Sequence, residues 1–121
     1  MKYMLLIYQD EQSWNTLSEA ERQQVYSEYG ALEGQLRASG QYVSGSELQP
    51  ITTATSLRVR DGKELITDGP FAETHEQLGG YFLVEAENLD EATKIAARIP
   101  SAKTGTIEIR PLAESAAEAS A

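Results

Sequence analysis

Residues 61–86 read Asp61-Gly62-Lys63-Glu64-Leu65-Ile66-Thr67-Asp68-Gly69-Pro70-Phe71-Ala72-Glu73-Thr74-His75-Glu76-Gln77-Leu78-Gly79-Gly80-Tyr81-Phe82-Leu83-Val84-Glu85-Ala86. Asp61-Gly62 is a two-residue hairpin signal. It joins the alternating run Thr55 to Arg60 to a returning strand over Glu64 to Thr67. A second strand follows over Tyr81 to Ala86. Between the two apolar strands lie Asp68-Gly69-Pro70, Gly79-Gly80 and the only histidine of the chain, His75, with acids beside it. Packing alone does not need so much special backbone in so few residues, so a site is expected here.

Outward from this block, the spacing predicts a helix on either side. Upstream, Ser18-Glu19-Ala20-Glu21 is a capping box, and Val25, Tyr29, Leu32 and Leu36 follow at helical spacing as far as Gly40. The helix is expected from about Glu19 to Ala38. Gly30 and Gly34 lie inside it, and each costs about 1 kcal/mol against alanine, so close packing against a sheet is expected to compensate. Downstream, Asn88-Leu89-Asp90-Glu91 opens a second helix with Leu89, Ala92, Ile95, Ala96 and Ile99 as its inner face, ended by Pro100. Met1 to Tyr8, Tyr42 to Leu48 (with a bulge expected at Gly45) and Thr106 to Leu112 read as further strands. Gln9 to Leu17 reads as a polar connection.

Strand, helix, several strands, helix, strand describes an α+β chain. The expected fold is a ferredoxin-like sandwich: an antiparallel sheet with two helices on one face and an inserted hairpin. Helices on one face leave the other bare, so a homodimer is expected to cover it. Residues 1–112 form one domain in this reading, and 113–121 a small, acidic, flexible C-terminal tail.

Composition narrows the function. The chain has 121 residues, 19 acids against 10 bases, a net charge of −9 and no cysteine. Nucleic-acid affinity rests on Lys and Arg at phosphates, so no direct nucleic-acid binding is expected. The longest apolar run, Tyr3 to Tyr8, is far short of the ~20 residues of a membrane span. It also runs into Gln9-Asp10-Glu11 without a small-residue cleavage site, which argues for a first strand rather than a signal peptide. Without cysteine there is neither a disulfide framework nor a thiolate. A cytoplasmic location is the default expectation.

Several blocks together resemble a known family. Asp68-Gly69-Pro70-Phe71 with Glu73 and Glu76-Gln77-Leu78-Gly79-Gly80 resembles the signature of DGPF-type proteins of the YciI-like (YCII-related) superfamily. Met1 to Tyr8, Gly45-Ser46-Glu47-Leu48-Gln49-Pro50, the Thr55 to Gly62 hairpin and Ala96-Ala97-Arg98-Ile99-Pro100 fit as well, so the likeness spans about residues 1–112. It implies a dimeric α+β barrel of ferredoxin-like subunits with a cleft suspected of being an active site. It also implies a link to extracytoplasmic-function sigma factors, beside or fused to which some relatives are encoded. The wider superfamily is similar to muconolactone-isomerase-like small dimeric enzymes. Two departures matter. The first helix lacks the histidine suspected of catalysis in the smaller YciI-type branch, and His75 stands where DGPF-type proteins usually have lysine.

Candidate chemistry gathers around Asp68. At a strand end before Gly69-Pro70 it could face a cleft, where partial burial would suit it to general-base work. Equally, it could hydrogen-bond the amides of its own turn. Phe71 could floor an apolar pocket, though a place in the core is the better expectation. A carboxylate of Glu73 or Glu76 could orient the His75 imidazole, while the plainer expectation is an exposed loop residue. One histidine and two acids match no trusted metal-ligand spacing, so no metal is expected. Arg58 could hold an anionic substrate, or line the solvent face with Arg60. Tyr26 and Tyr29 could aim phenols at the sheet, with Tyr29 read as core. Tyr81 follows two glycines that permit close approach of a ligand or of a neighbouring strand. Gly79-Gly80 opens no helix and is no dinucleotide fingerprint, and no cofactor is expected.

The leading expectation is a lyase or isomerase-like enzyme in which Asp68, with His75 as second candidate, moves a proton on a small molecule. Arg58, Gly69, Phe71, Glu73 and Tyr81 would hold that molecule. The alternative is a non-catalytic regulatory partner of a sigma factor, its acidity complementing a basic partner.

Overall fold

The computed structural model describes residues 1–113. The tail expected at 113–121 lies outside the described residues except for Ala113. The first strand, β1 (Lys2–Gln9), alternates strictly: Tyr3, Leu5 and Ile7 are buried, and Met4, Leu6 and Tyr8 face the other way. Asp10 then caps a short helix, α1 (Glu11–Asn15), its carboxylate accepting from the Gln12 amide at 3.0 Å. This turn replaces the plain connection expected there. The long helix, α2 (Glu19–Ala38), starts at the Ser18/Glu21 capping box, with both reciprocal hydrogen bonds formed. It ends at Gly40, whose φ of 77° lets the Gln41 amide reach the Leu36 carbonyl and its own amide reach that of Arg37.

After α2 come β2 (Tyr42–Glu47) and a 3₁₀ turn at Ile51–Thr53. The hairpin β3 (Thr55–Arg60) and β4 (Lys63–Asp68) follows, then β5 (Gln77–Glu85), α3 (Leu89–Ala97), a second 3₁₀ turn at Pro100–Lys103, and β6 (Thr106–Pro111). The main sheet has the order β2-β5-β1-β6 and is antiparallel throughout, while among the described residues β3 and β4 pair only with each other. With α2 and α3 packed on one face, this is the ferredoxin-like α+β arrangement. Asp61 and Gly62, at φ of 52° and 73°, make the two-residue turn the sequence asks for.

The core lies between the sheet and the helices. It is built from Tyr3, Leu5 and Ile7 of β1, Leu32 and Leu36 of α2, Phe82 and Val84 of β5, and Ala92, Ile95, Ala96 and Ile99 around α3. No residue between Val43 and Tyr81 belongs to it. Three expectations need correction. Leu89 is exposed, because the first turn of α3 lies outside the packed face. The irregularity of β2 falls between Tyr42 and Ser44 rather than at Gly45. Gly30 and Gly34 do not pack closely: among the described residues a Cβ on either would meet nothing within 4 Å.

Candidate functional site

Where β1 and β2 end and β5 begins, the sheet separates from α1 and α2 around a cavity of about 360 Å³. Its walls are Ile7, Val25, Trp14, Tyr26, Tyr29 and Phe82. The rings are held in place by one another. Trp14 meets Tyr26 edge-on with centroids 5.4 Å apart, and Tyr29 stacks on Phe82 at 6.1 Å. Two glycines make room for this end of the sheet. A Cβ on Gly45 would lie 2.8 Å from Cδ1 of Phe82, so the ring folds over bare backbone. A Cβ on Gly80 would lie 2.8 Å from the Ser46 carbonyl oxygen, so β2 and β5 could not close. Of the two uses expected for the Gly79-Gly80 pair, Gly80 serves the approach of the neighbouring strand.

The polar part of the cavity is a relay. The Tyr29 hydroxyl lies 2.7 Å from Oγ of Ser101, and the Ser101 hydroxyl donates to Oε1 of Gln9 at 2.8 Å. Ser101 is the one buried polar residue among those described. Its single hydrogen goes to Gln9, so Tyr29 donates to Ser101 and keeps its oxygen lone pairs as acceptors. Nearer the surface, Tyr26 donates to Oε1 of Glu47 at 3.2 Å. Burial, above all, raises the Tyr29 phenol above its ordinary value. Tyr26 is raised by desolvation first and then by the Glu47 carboxylate. Both phenols therefore stay protonated at neutral pH. Glu11 reaches across the rim to accept from the Ile51 amide at 3.0 Å, fixing the turn that follows β2. Among the described residues, no group of three or more His, Asp or Glu side chains is placed to hold a metal ion.

Comparison with known proteins agrees with this architecture. A family model described as the YCII-related domain matches residues 1–116. The chain belongs to the YCII-related family. It is also similar to an uncharacterised protein of Rhizobium meliloti (strain 1021), 37% identical over 115 residues that cover 93% of each chain.

In this YCII-related chain the residues singled out from sequence lie mostly outside the cavity. Asp68 ends β4 opposite Thr55 and is exposed. The loop after it is closed by the Gly69 amide on the Ala54 carbonyl at 2.7 Å and by the Ser56 hydroxyl on the Gly69 carbonyl at 2.7 Å. Phe71 is 80% exposed rather than in the core, since the loop that carries it runs outside both sheets. Glu73 and His75 are exposed, and Arg58 lies exposed on β3 opposite Leu65. Tyr81 alone of the set borders the cavity.

Sequence reasoning reached Tyr26 and Tyr29 as phenols aimed at the sheet, but did not find Trp14, Ser101 or Gln9. The single tryptophan of the chain was a signal for Trp14. Nothing local marks Ser101 or Gln9, which meet across 92 residues of sequence. No helix of the described residues is long and apolar enough to cross a membrane.

Proposed function

We propose that this YCII-related chain is a small-molecule-binding protein whose ligand occupies the cavity between α2 and the sheet. The observation that carries the reading is that cavity itself, walled by four aromatic rings and backed by the half-buried Tyr29–Ser101–Gln9 relay. Its volume lies within the ~300–1,000 Å³ typical of small-ligand sites. The relay can orient a polar group of the ligand, and the protonated phenols offer hydrogen-bonding oxygens without adding charge.

A lyase or isomerase activity is the catalytic form of the same proposal. In it Asp68 carries the proton, with His75 near it and Arg58 and Glu73 as positioning groups. Asp68 is exposed on the hairpin outside the cavity, so this form needs a second copy to bring the loop to a ligand. A homodimer is therefore part of it. The exposed apolar face of the hairpin, with Leu57, Val59 and Ile66 on one side and Phe71 beyond, supplies a surface for that contact. The same surface favours the second reading, a regulatory contact with a sigma factor. Co-purification from cells that recovers no such partner removes that alternative.

Thermal melting against a panel of small amines, acids, lactones, quinones and phosphorylated metabolites tests the cavity reading. A ligand at 100 times its Kd adds about 2.7 kcal/mol, or roughly 10 °C for a chain of this length. Gly30→Leu, which fills the cavity from α2, is expected to abolish the shift. A shift that survives this variant overturns the reading. Loss of turnover in Asp68→Asn with ligand binding retained supports the catalytic form, and unchanged turnover removes it.

A further inference from the structure

We infer that the cavity is selective for an organic cation: a primary or quaternary amine carried on an apolar body of about one aromatic ring. This rests on the reading of the cavity as the ligand site and names the chemistry of what enters it.

Charge is the first argument. Asp10, Glu11, Glu33 and Glu47 border the cavity, and among the described residues that line it there is no lysine, arginine or histidine. Glu33 meets Arg37 at 3.8 Å on the exposed side of α2, while Asp10, Glu11 and Glu47 form no ion pair among the described residues. Arg22, which does not line the cavity, stacks over Trp14 with its guanidinium 5.8 Å from the ring centroid. It is tied to the carbonyls of Trp14 and Asn15, two residues of the cavity wall, so its hydrogen bonds are already spent on backbone. An anion entering here would meet four carboxylates and no lysine, arginine or histidine of the lining, which costs binding free energy.

The direction of the hydrogen bonds is the second argument and is independent of the first. Tyr29 spends its hydrogen on Ser101, and Ser101 spends its own on Gln9. Tyr26 spends its hydrogen on Glu47. The two phenols therefore offer a ligand oxygen acceptors, beside the free carboxylate oxygens, while the N–H donors of Trp14, Gln9 and Asn15 line the same cavity. A primary ammonium group is all donor and suits these oxygens, whereas a quaternary ammonium has no N–H and is held by the carboxylate charge and the aromatic faces alone. The third argument is the wall itself. Trp14, Tyr26, Tyr29 and Phe82 present aromatic faces and edges within one cavity, and π-faces attract cations most where water is excluded. The apolar walls Ile7 and Val25 then accept the body of the molecule.

The test uses four probes of similar shape: 2-phenylethylamine, benzyltrimethylammonium, 2-phenylethanol and 3-phenylpropanoate. Binding is followed by calorimetry and by the emission of Trp14, the only tryptophan. The two cations are expected to bind about tenfold more tightly than the alcohol, with the carboxylate weakest. Glu47→Gln is expected to reduce the advantage of the cations several-fold while leaving the alcohol unchanged. Equal affinities, a leading carboxylate, or a Glu47→Gln variant with undiminished preference overturns the cation assignment. The cavity reading survives those results if Gly30→Leu blocks binding. Binding that Gly30→Leu does not block, or no signal from any probe at millimolar concentration, overturns both.

Discussion

Two glycines in the middle of α2 offer a direct test of what lies above that helix. Gly30 and Gly34 have ordinary helical backbones, and a Cβ at either position meets nothing within 4 Å. Replacing each with alanine therefore adds no clash and removes the entropy cost of glycine, about 1 kcal/mol per site. The unfolding entropy of a chain this long is about 0.25 kcal/mol/K, so each substitution should raise Tm by roughly 4 °C and the pair by roughly 8 °C. Gly40→Ala is the internal control. It too has open space around it, but its φ of 77° puts an alanine in the left-handed region, so it should lower Tm by a similar amount. Calorimetric melting of the three variants and the double mutant suffices. If Gly30→Ala and Gly34→Ala together leave Tm unchanged or lower it, the space above α2 is filled in solution by something this single chain does not contain.

Three further outcomes follow from the site and the sheet. Ser101→Ala leaves the Tyr29 hydroxyl and the Gln9 carbonyl without their buried partner and should cost about 1–3 kcal/mol by urea denaturation. Gly80→Ala should cost a comparable ~1–3 kcal/mol, because the new methyl would press on the Ser46 carbonyl and force β2 away from β5; a neutral result would mean that β2 can move freely. Four tyrosines, Tyr8, Tyr26, Tyr29 and Tyr42, are raised above 10.0, each chiefly by desolvation. The unfolded chain releases these protons first, so the stability tied to them is complete below pH 10 and is lost as pH rises through the folded values. Denaturation midpoints measured from pH 8 to pH 11 should fall at the alkaline end, and less so in Tyr29→Phe.

Much of the fold was legible because its signals are local. The Ser18/Glu21 box and the Gly40 stop set both ends of α2, and Asp61-Gly62 set the hairpin turn. The alternation of Tyr3, Leu5 and Ile7 marked the buried strand face. The short helix α1 was missed because its signal is a single cap, Asp10, on four polar residues and one tryptophan. The site was less legible than the fold. The unusual backbone of residues 61–86 drew attention to Asp68 and Phe71, but much of it serves geometry: a hairpin turn, a loop closure onto Ala54, and the seam between β2 and β5. The cavity is assembled from Gln9, Trp14, Tyr29, Phe82 and Ser101, which belong to five different elements and carry no shared motif. Their meeting is a property of the sheet order β2-β5-β1-β6, and periodicity does not report strand order.

The hairpin of β3 and β4 joins the rest of the molecule at a narrow neck, where Gly69 returns to within hydrogen-bond distance of Ala54. Because no core residue lies between Val43 and Tyr81, that neck is a natural graft point. Chain can be lengthened, trimmed or exchanged beyond it while β2 and β5 still find each other. The surface that a ferredoxin-like body of this kind shows to a partner can thus change as a tool changes its head, with the cavity untouched and the interchangeable part closed on itself by two hydrogen bonds at its base.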